Sequence, residues 1–277
     1  MNTLEIRHQS IGKPEGEYHS PNEDTIGVSL DSKVLALSDG AGGSGVEAHQ
    51  WSQYLIQHLP DQPIIEFAAL EKWQEEIWEP YFERINAELQ TTNPDALTKL
   101  VKEGSSATLV AAWLQDDVVK LMAYGDSVCM HFSAAQKLQD CNLKLRDFLH
   151  SPFLLNCNEP PLAAGFWAQT RQLEPRDHLL LASDAIGQFI LGHYACLDQD
   201  TPVAEGFQEI LDSPFRSSVL LAGMLNFLAD NPSTPSLLDM LWDAVETPAK
   251  FRSFTNEKLE AGLLGLDDYS LIMVKIA

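Results

Sequence analysis

Positive charge is what this sequence has least of. Its 277 residues carry 18 Lys and Arg against 40 Asp and Glu, a formal net charge of −22. Nucleic acid recognition rests on clustered cations that displace phosphate counterions, so nucleic acid is excluded as an expected partner. An anionic membrane surface is excluded on the same ground. Long apolar runs are missing too. The longest, residues 219–229, contains Asn226 and is too short to cross a bilayer. The first residues are polar, with no apolar signal-peptide core, and a cytoplasmic location is expected. Cysteine is scarce: Cys129, Cys141, Cys157 and Cys196, with no Cys-x-x-Cys pair, and His131 beside Cys129 is not a zinc spacing. Reduced thiols, mostly in the core, are expected. Internal repeats, low-complexity tracts and a separating linker are also lacking, so a single domain over 1–277 is expected.

What the chain does have is acid at the ends of apolar strands. Residues 38–45 read Ser-Asp-Gly-Ala-Gly-Gly-Ser-Gly, after the apolar run Val34-Leu35-Ala36-Leu37. Asp39 therefore stands where a buried strand ends. The glycines that follow let the backbone turn with positive φ or approach a neighbour closely. An Asp-Gly pair alone is a common turn, so its company decides the reading.

Alternation of Leu4, Ile6 and His8 predicts an opening strand, and residues 11–21 read as a loop. Asn22-Glu23-Asp24 leads into the alternating Ile26, Val28 and Leu30; residues 31–33 predict a hairpin turn and 34–38 the returning strand. Such a hairpin brings Glu23, Asp24 and Asp39 to one end of a sheet. Helical spacing covers 46–59 and 64–89, the second expected to kink or split at Pro80, and Asn93-Pro94-Asp95 reads as a loop. Residues 104–108 open a second sheet region with strands over 109–114, 118–124 and 128–132, the last two separated by Gly125-Asp126-Ser127. Residues 144–155 read as irregular or helical, and 167–173 alternate. The apolar strand 178–182 ends in Ser183-Asp184-Ala185. Residues 186–266 are mostly helical, broken by prolines, and a final strand over 270–276 follows Asp267-Asp268.

Glu23, Asp24, Asp39, Asp126, Asp184 and Asp267 thus all lie where short apolar strands meet loops. Most of the 40 acids keep a protein soluble and do no more. Carboxylates are poor strand formers and costly to bury, so repeated placement beside core strands points to strand ends that converge. Crowded carboxylates repel and stay partly protonated unless a cation neutralises them. Oxygen-only ligation suits Mg²⁺ or Mn²⁺ rather than zinc, and the carbonyl of Gly40 suits a further ligand. The residues predict a two-metal hydrolytic site. Its bridging water, acidified from a pKa of 15.7 toward ~7–9, would attack in line at phosphorus.

Taken in order, the motifs resemble the metal-dependent protein phosphatases of type 2C, the PPM family, in their bacterial form. Asn22-Glu23-Asp24 resembles the family's Asn-Glu-Asp, and Ser38-Asp39-Gly40-Ala41-Gly42-Gly43 its Asp-Gly-x-Gly-Gly. Gly104-Ser105-Ser106-Ala107 resembles Gly-Thr-Thr-Ala; Gly125-Asp126-Ser127 matches Gly-Asp-Ser; Leu181-Ala182-Ser183-Asp184 matches Leu-x-Ser-Asp. Asp267-Asp268-Tyr269-Ser270 resembles the terminal Asp-Asn-x-Thr.

The resemblance implies an α+β fold: a four-layer α-β-β-α sandwich, two antiparallel sheets flanked by helices, with a helical insertion or flap within about 186–266. It implies hydrolysis of phosphoserine or phosphothreonine in proteins without a phosphoenzyme, and as partners a phosphoprotein substrate and a cognate kinase. It implies two Mn²⁺ or Mg²⁺ ions, Asp39 bridging them and Gly40 adding its carbonyl. Glu23 would hold one ion, with Asp24 on its water shell. Asp184 and Asp267 would hold the other, and Asp126 with Asp184 a weaker third. Asp39 and Asp184 would thereby activate the water.

Three positions depart from the pattern. Four residues before Glu23 the family carries an Arg, and this chain has His19. A guanidinium fork grips phosphate with a permanent charge, whereas His is only partly charged at neutral pH. His19 is retained as a candidate phosphate contact beside the reading of an exposed loop histidine. Ala185 replaces a Gly, and Asp268 replaces an Asn, adding negative charge near the expected metals. The missing Arg supports a second reading, a pseudophosphatase that binds a phosphoprotein or kinase and regulates it. A third is an acidic cation-binding scaffold whose Asp-Gly turns are coincidental.

Overall fold

A computed structural model describes residues 4–15, 18–19, 21–197 and 237–277. Its first part runs β1 (Leu4–Ile11), β2 (Pro14–Glu15), β3 (Tyr18–His19), β4 (Thr25–Ser29), β5 (Val34–Ser38), α1 (Ala48–Gln57), α2 (Phe67–Thr92) and α3 (Pro94–Glu103). Then come β6 (Ser106–Ala107), β7 (Leu109–Gln115), β8 (Val118–Tyr124), β9 (Val128–Phe132), β10 (Leu138–Cys141), β11 (Leu155–Asn156), β12 (Phe166–Gln172) and β13 (His178–Ala182). The last described elements are α4 (Asp184–Leu197), α5 (Leu237–Ala244), α6 (Pro248–Glu260) and β14 (Tyr269–Ile276).

Two five-stranded antiparallel sheets form the centre, in the orders β1-β14-β13-β9-β10 and β12-β8-β7-β5-β4. The two-residue side-chain period explains how they stack. In β5, Leu35 and Leu37 point into the core between the sheets, while Val34 and Ala36 pack on the helical side. In β13, Leu179 and Leu181 face the other sheet, and Leu180 and Ala182 face helices. Both faces are covered, so these strands are apolar throughout rather than alternating. The helical side of one sheet packs against Trp51 and Leu55 of α1 and Trp73, Ile77 and Tyr81 of α2. The other packs against Phe189 and Ile190 of α4, Leu241 and Trp242 of α5 and Phe251 of α6. This is the expected four-layer α-β-β-α arrangement.

Three local expectations need correction. Pro80 does not split its helix: α2 runs through it from Phe67 to Thr92. Pro80 and Glu76 are both exposed, so the carbonyl that Pro80 leaves unbonded faces water, while Leu70, Trp73, Ile77, Tyr81, Ile85 and Leu89 stay buried on the other face. Asn93-Pro94 is no loop. Asn93 caps α3 by accepting from the Ala96 N–H at 3.1 Å, and Pro94 occupies the first turn. Residues 11–21 also hold more order than a loop, since β2 and β3 pair Pro14 with His19 and Glu15 with Tyr18.

The thiols of Cys129, Cys141 and Cys157 are free, and burial pushes those of Cys129 and Cys157 up. Among the described residues no helix is long and apolar enough to cross a membrane. Of the stretch 186–266 expected to hold a helical insertion or flap, residues 186–197 and 237–266 include α4, α5 and α6, and residues 198–236 lie outside the described residues.

Candidate metal centre

Strand register brings the acids together. Thr25 pairs with Ser38, so the residues before β4 and after β5 share one end of their sheet. Ala182 pairs with Leu271, which sets Asp184, just beyond β13, beside Asp267, just before β14. Ser183 fastens that junction: its N–H donates to the Ser270 carbonyl at 3.0 Å, and its hydroxyl accepts from the Ser270 N–H at 3.0 Å.

Asp39 is held by Thr108. The Thr108 N–H donates to the Asp39 carbonyl at 2.8 Å, and the Asp39 N–H donates to the Thr108 hydroxyl at 3.2 Å. That hydroxyl also bonds Ser127 at 2.5 Å, next to Asp126. Gly40 must be glycine: an added Cβ would lie 2.7 Å from the Glu23 carbonyl oxygen and 3.0 Å from that of Ala48. Gly42 is equally close to the Glu23 carboxylate, whose charge its N–H helps to hold.

The outcome is a cavity of about 260 Å³ lined by Glu23, Asp39, Gly40, Asp126, Asp184 and Asp267, together with Lys13 and Thr108. Five carboxyl groups drawn from residues 23 to 267 therefore meet at one place. Asp24 does not line the cavity. It is buried, 5 % exposed, and neither carboxyl oxygen receives a hydrogen bond of ordinary geometry, although Ser270 and Asp39 stand close to it.

Glu23, Asp24, Asp39, Asp126 and Asp184 are each held above their ordinary pKa, and the negative charge of Asp267 acts on all five. Burial raises Asp24 to about 7 and Asp126 to about 6, reinforced by the charges of Asp268 and Asp267 on the first and Asp267 on the second. Asp39 is raised well above the usual range by burial and by Asp24, Asp184, Asp126 and Asp267. Asp184 is raised likewise by burial, then Asp126, Asp267 and Asp24. Glu23 is raised by burial, with Lys13 pulling the other way.

Do these residues suit a divalent cation? Among the described residues, no three His, Cys, Asp or Glu side chains are gathered into a group that could hold an ion as they stand. The acids ring a cavity rather than close on a point. Their chemistry fits nonetheless: the acidic donors are all hard oxygens, their mutual repulsion is what a cation relieves, and the Asp24 oxygens are buried with no hydrogen bond of ordinary geometry.

The three departures find different places. Ala185 sits in the first turn of α4 and donates its N–H to Asp184 Oδ1 at 2.5 Å, a helical position open to any residue. Asp268 is buried, and its two oxygens accept the N–H groups of Lys13 and Glu23, each at 2.7 Å. It anchors two loops instead of lining the cavity. The side chain of His19 lies outside the described residues.

Sequence reading missed Thr108 and Lys13, and read Asp268 only as added charge near the metals, not as the anchor of two loops. Thr108 carried a faint signal as the end of the Gly-Ser-Ser-Ala-Thr run. Lys13 carried none, because a Lys between Gly12 and Pro14 looks like any loop cation.

No family model matches the sequence, and no curated protein matches it significantly. Solved structures do match over the full length. PppA, described as a key regulatory component of T6SS in Pseudomonas aeruginosa, shares 15% identity at a TM-score of 0.54, covering 99% of this chain and 98% of that one. The catalytic domain of the serine/threonine protein phosphatase PstP, in complex with two manganese ions, shares 17% at 0.55 over 100% of both chains. Serine/threonine phosphatase Stp1 from Staphylococcus aureus shares 15% at 0.54, over 99% and 96%. At such identities the likeness speaks for the fold.

Proposed function

We propose, from the premise that the chain carries the fold of bacterial PPM-type serine/threonine phosphatases, that it hydrolyses phosphoserine or phosphothreonine in proteins with the help of divalent cations. The observation that carries this reading is the meeting of Glu23, Asp39, Asp126, Asp184 and Asp267 at one cavity, with charges that repel one another. Asp39, Glu23 and the Gly40 carbonyl would hold one ion and Asp39, Asp184 and Asp267 a second, Mn²⁺ or Mg²⁺, with Asp126 available for a third. Asp24, buried and not lining the cavity, would accept from water around the first ion. Bound cations would supply Lewis acidity, lowering the pKa of water from 15.7 toward ~7–9 and neutralising charge on phosphoryl oxygens.

The protein's own part is orientation. Thr108 fixes the backbone of Asp39, Ser183 sets Asp184 against Asp267, and Asp268 ties Glu23 to the same end of the sandwich. A cleft of about 350 Å³ adjoins the cavity and shares Asp126 and Pro152 with it; Asp147, His150 and Trp167 also line it. It would receive the peptide on one side of the phosphorylated residue. A cytoplasmic location and a kinase as opposing partner accord with this reading.

The regulatory alternative, a binding module without turnover, has two observations in its favour: His19 stands where the family carries its Arg, and among the described residues the acids do not close on a point. Hydrolysis of para-nitrophenyl phosphate with and without Mn²⁺, with Asp39→Asn as control, separates the two. Metal-dependent turnover lost in Asp39→Asn supports the enzyme. Metal binding without turnover supports the module.

A further inference from the structure

The cavity has an unbalanced charge. Among the described residues that line it, five carry carboxyl groups and one, Lys13, is a cation. A phosphate monoester is itself an anion at neutral pH, so its approach to that wall needs positive charge beyond what metal ions spend on the carboxylates.

Lys13 is built into place rather than left on a loose loop. Its N–H donates to Asp268 Oδ1 at 2.7 Å, while Asp268 Oδ2 accepts the Glu23 N–H at 2.7 Å. One buried carboxylate, 4 % exposed, thus fixes the backbone of Lys13 relative to that of Glu23 across 255 and 245 residues of sequence. Pro14 follows directly and pairs with His19. Lys13 itself is half-buried. It lines the cavity, and an ammonium meets a phosphoryl oxygen as a point charge, without the planar fork of an Arg.

We infer that Lys13 is the phosphate-binding cation of this chain, and that Asp268 is the positioning residue that holds it over the cavity. The inference takes phosphate as ligand from the proposed function. It moves the phosphate contact away from His19 to a residue six positions earlier, and it gives the Asp at 268 a task that the charge of an ordinary metal neighbour would not require.

The test uses the full chain loaded with Mn²⁺ and inorganic phosphate as the probe. Calorimetry on Lys13→Met is expected to show phosphate bound ~10-fold or more weakly, as for loss of a charge-assisted hydrogen bond, with Mn²⁺ affinity within about threefold of the parent. KM for a phosphopeptide should rise with little change in kcat. Lys13→Arg should restore most of the phosphate affinity. Asp268→Ala should weaken phosphate in the same direction, and Asp268→Asn, which keeps one acceptor, should lie between. Should Lys13 only neutralise Glu23, Lys13→Met would alter Mn²⁺ affinity and leave phosphate affinity untouched, which overturns the inference. So would loss of phosphate binding in His19→Ala with none in Lys13→Met. A wild-type protein that binds phosphate through Lys13 but hydrolyses nothing would remove the phosphatase reading and leave this one standing.

Discussion

Asp24 offers the sharpest test of the charge argument. It is buried, receives no hydrogen bond of ordinary geometry, and has its pKa raised to about 7 by burial and neighbouring acids against the pull of Ser270 and Asp39. A carboxyl raised in the folded state above its unfolded value of ~3.9 stabilises the fold below that value. This contribution is lost as pH rises through about 7. Linkage from these two values gives about 2–3 kcal/mol lost between pH 5 and pH 8 in metal-free protein. For a chain of this size that is about 4–5 °C in Tm. Other groups titrate in the same window: His178 and His193, both lowered by burial, gain stability as pH rises. The informative quantity is therefore the difference between parent and Asp24→Asn. Thermal unfolding in EDTA at pH 5 and pH 8 should show the parent losing more stability than the variant by roughly that amount. Saturating Mn²⁺ should raise Tm of the parent most at pH 8, by ~2.7 kcal/mol equivalent at 100 times Kd. Equal pH dependence in the two proteins, or a metal effect larger at pH 5, would refute the idea that crowded acids strain this site.

Other consequences can be measured with the same preparations. Thr108→Val removes the hydroxyl that steadies Asp39 and should cost ~10–100-fold in Mn²⁺ affinity or activity while leaving far-UV circular dichroism unchanged. Gly42→Ala places a Cβ against the Glu23 carboxylate and should weaken Mn²⁺ binding about tenfold in calorimetry, with less effect on Tm than on affinity. Asn93→Ala removes the cap of α3 and should cost about 1 kcal/mol in urea unfolding, with activity kept. Leu181→Ala, in the core between the sheets, should cost ~2–5 kcal/mol in the same assay.

Much of the fold was legible because its signals are local. β5, β8, β9, β13 and β14 announce themselves as short apolar runs bounded by acids and turns, and a three-residue turn-like break at 31–33 already implied that β4 and β5 pair. The errors are also local in origin. Asn-Pro serves equally as a turn and as a helix start, and the choice at 93–94 falls to the helix only because Leu100 has a core to enter. Pro80 is tolerated because six apolar side chains on the opposite face outweigh one lost backbone bond. Neither balance is visible within a few residues of the position concerned.

By itself the sequence determined which acids stand at strand ends and which residues face in or out, since both follow from a period of two and from the cost of placing carboxylates in strands. Only tertiary structure decided which groups share the cavity: that Asp24 is buried and does not line it, that Asp268 holds two loops, and that Lys13 joins the five acids. The reason is that side-chain period and propensity act over neighbouring residues, whereas charge acts across space. A loop lysine acquires its role from the carboxylates that packing brings beside it, and those lie as much as 254 residues further along the chain than residue 13.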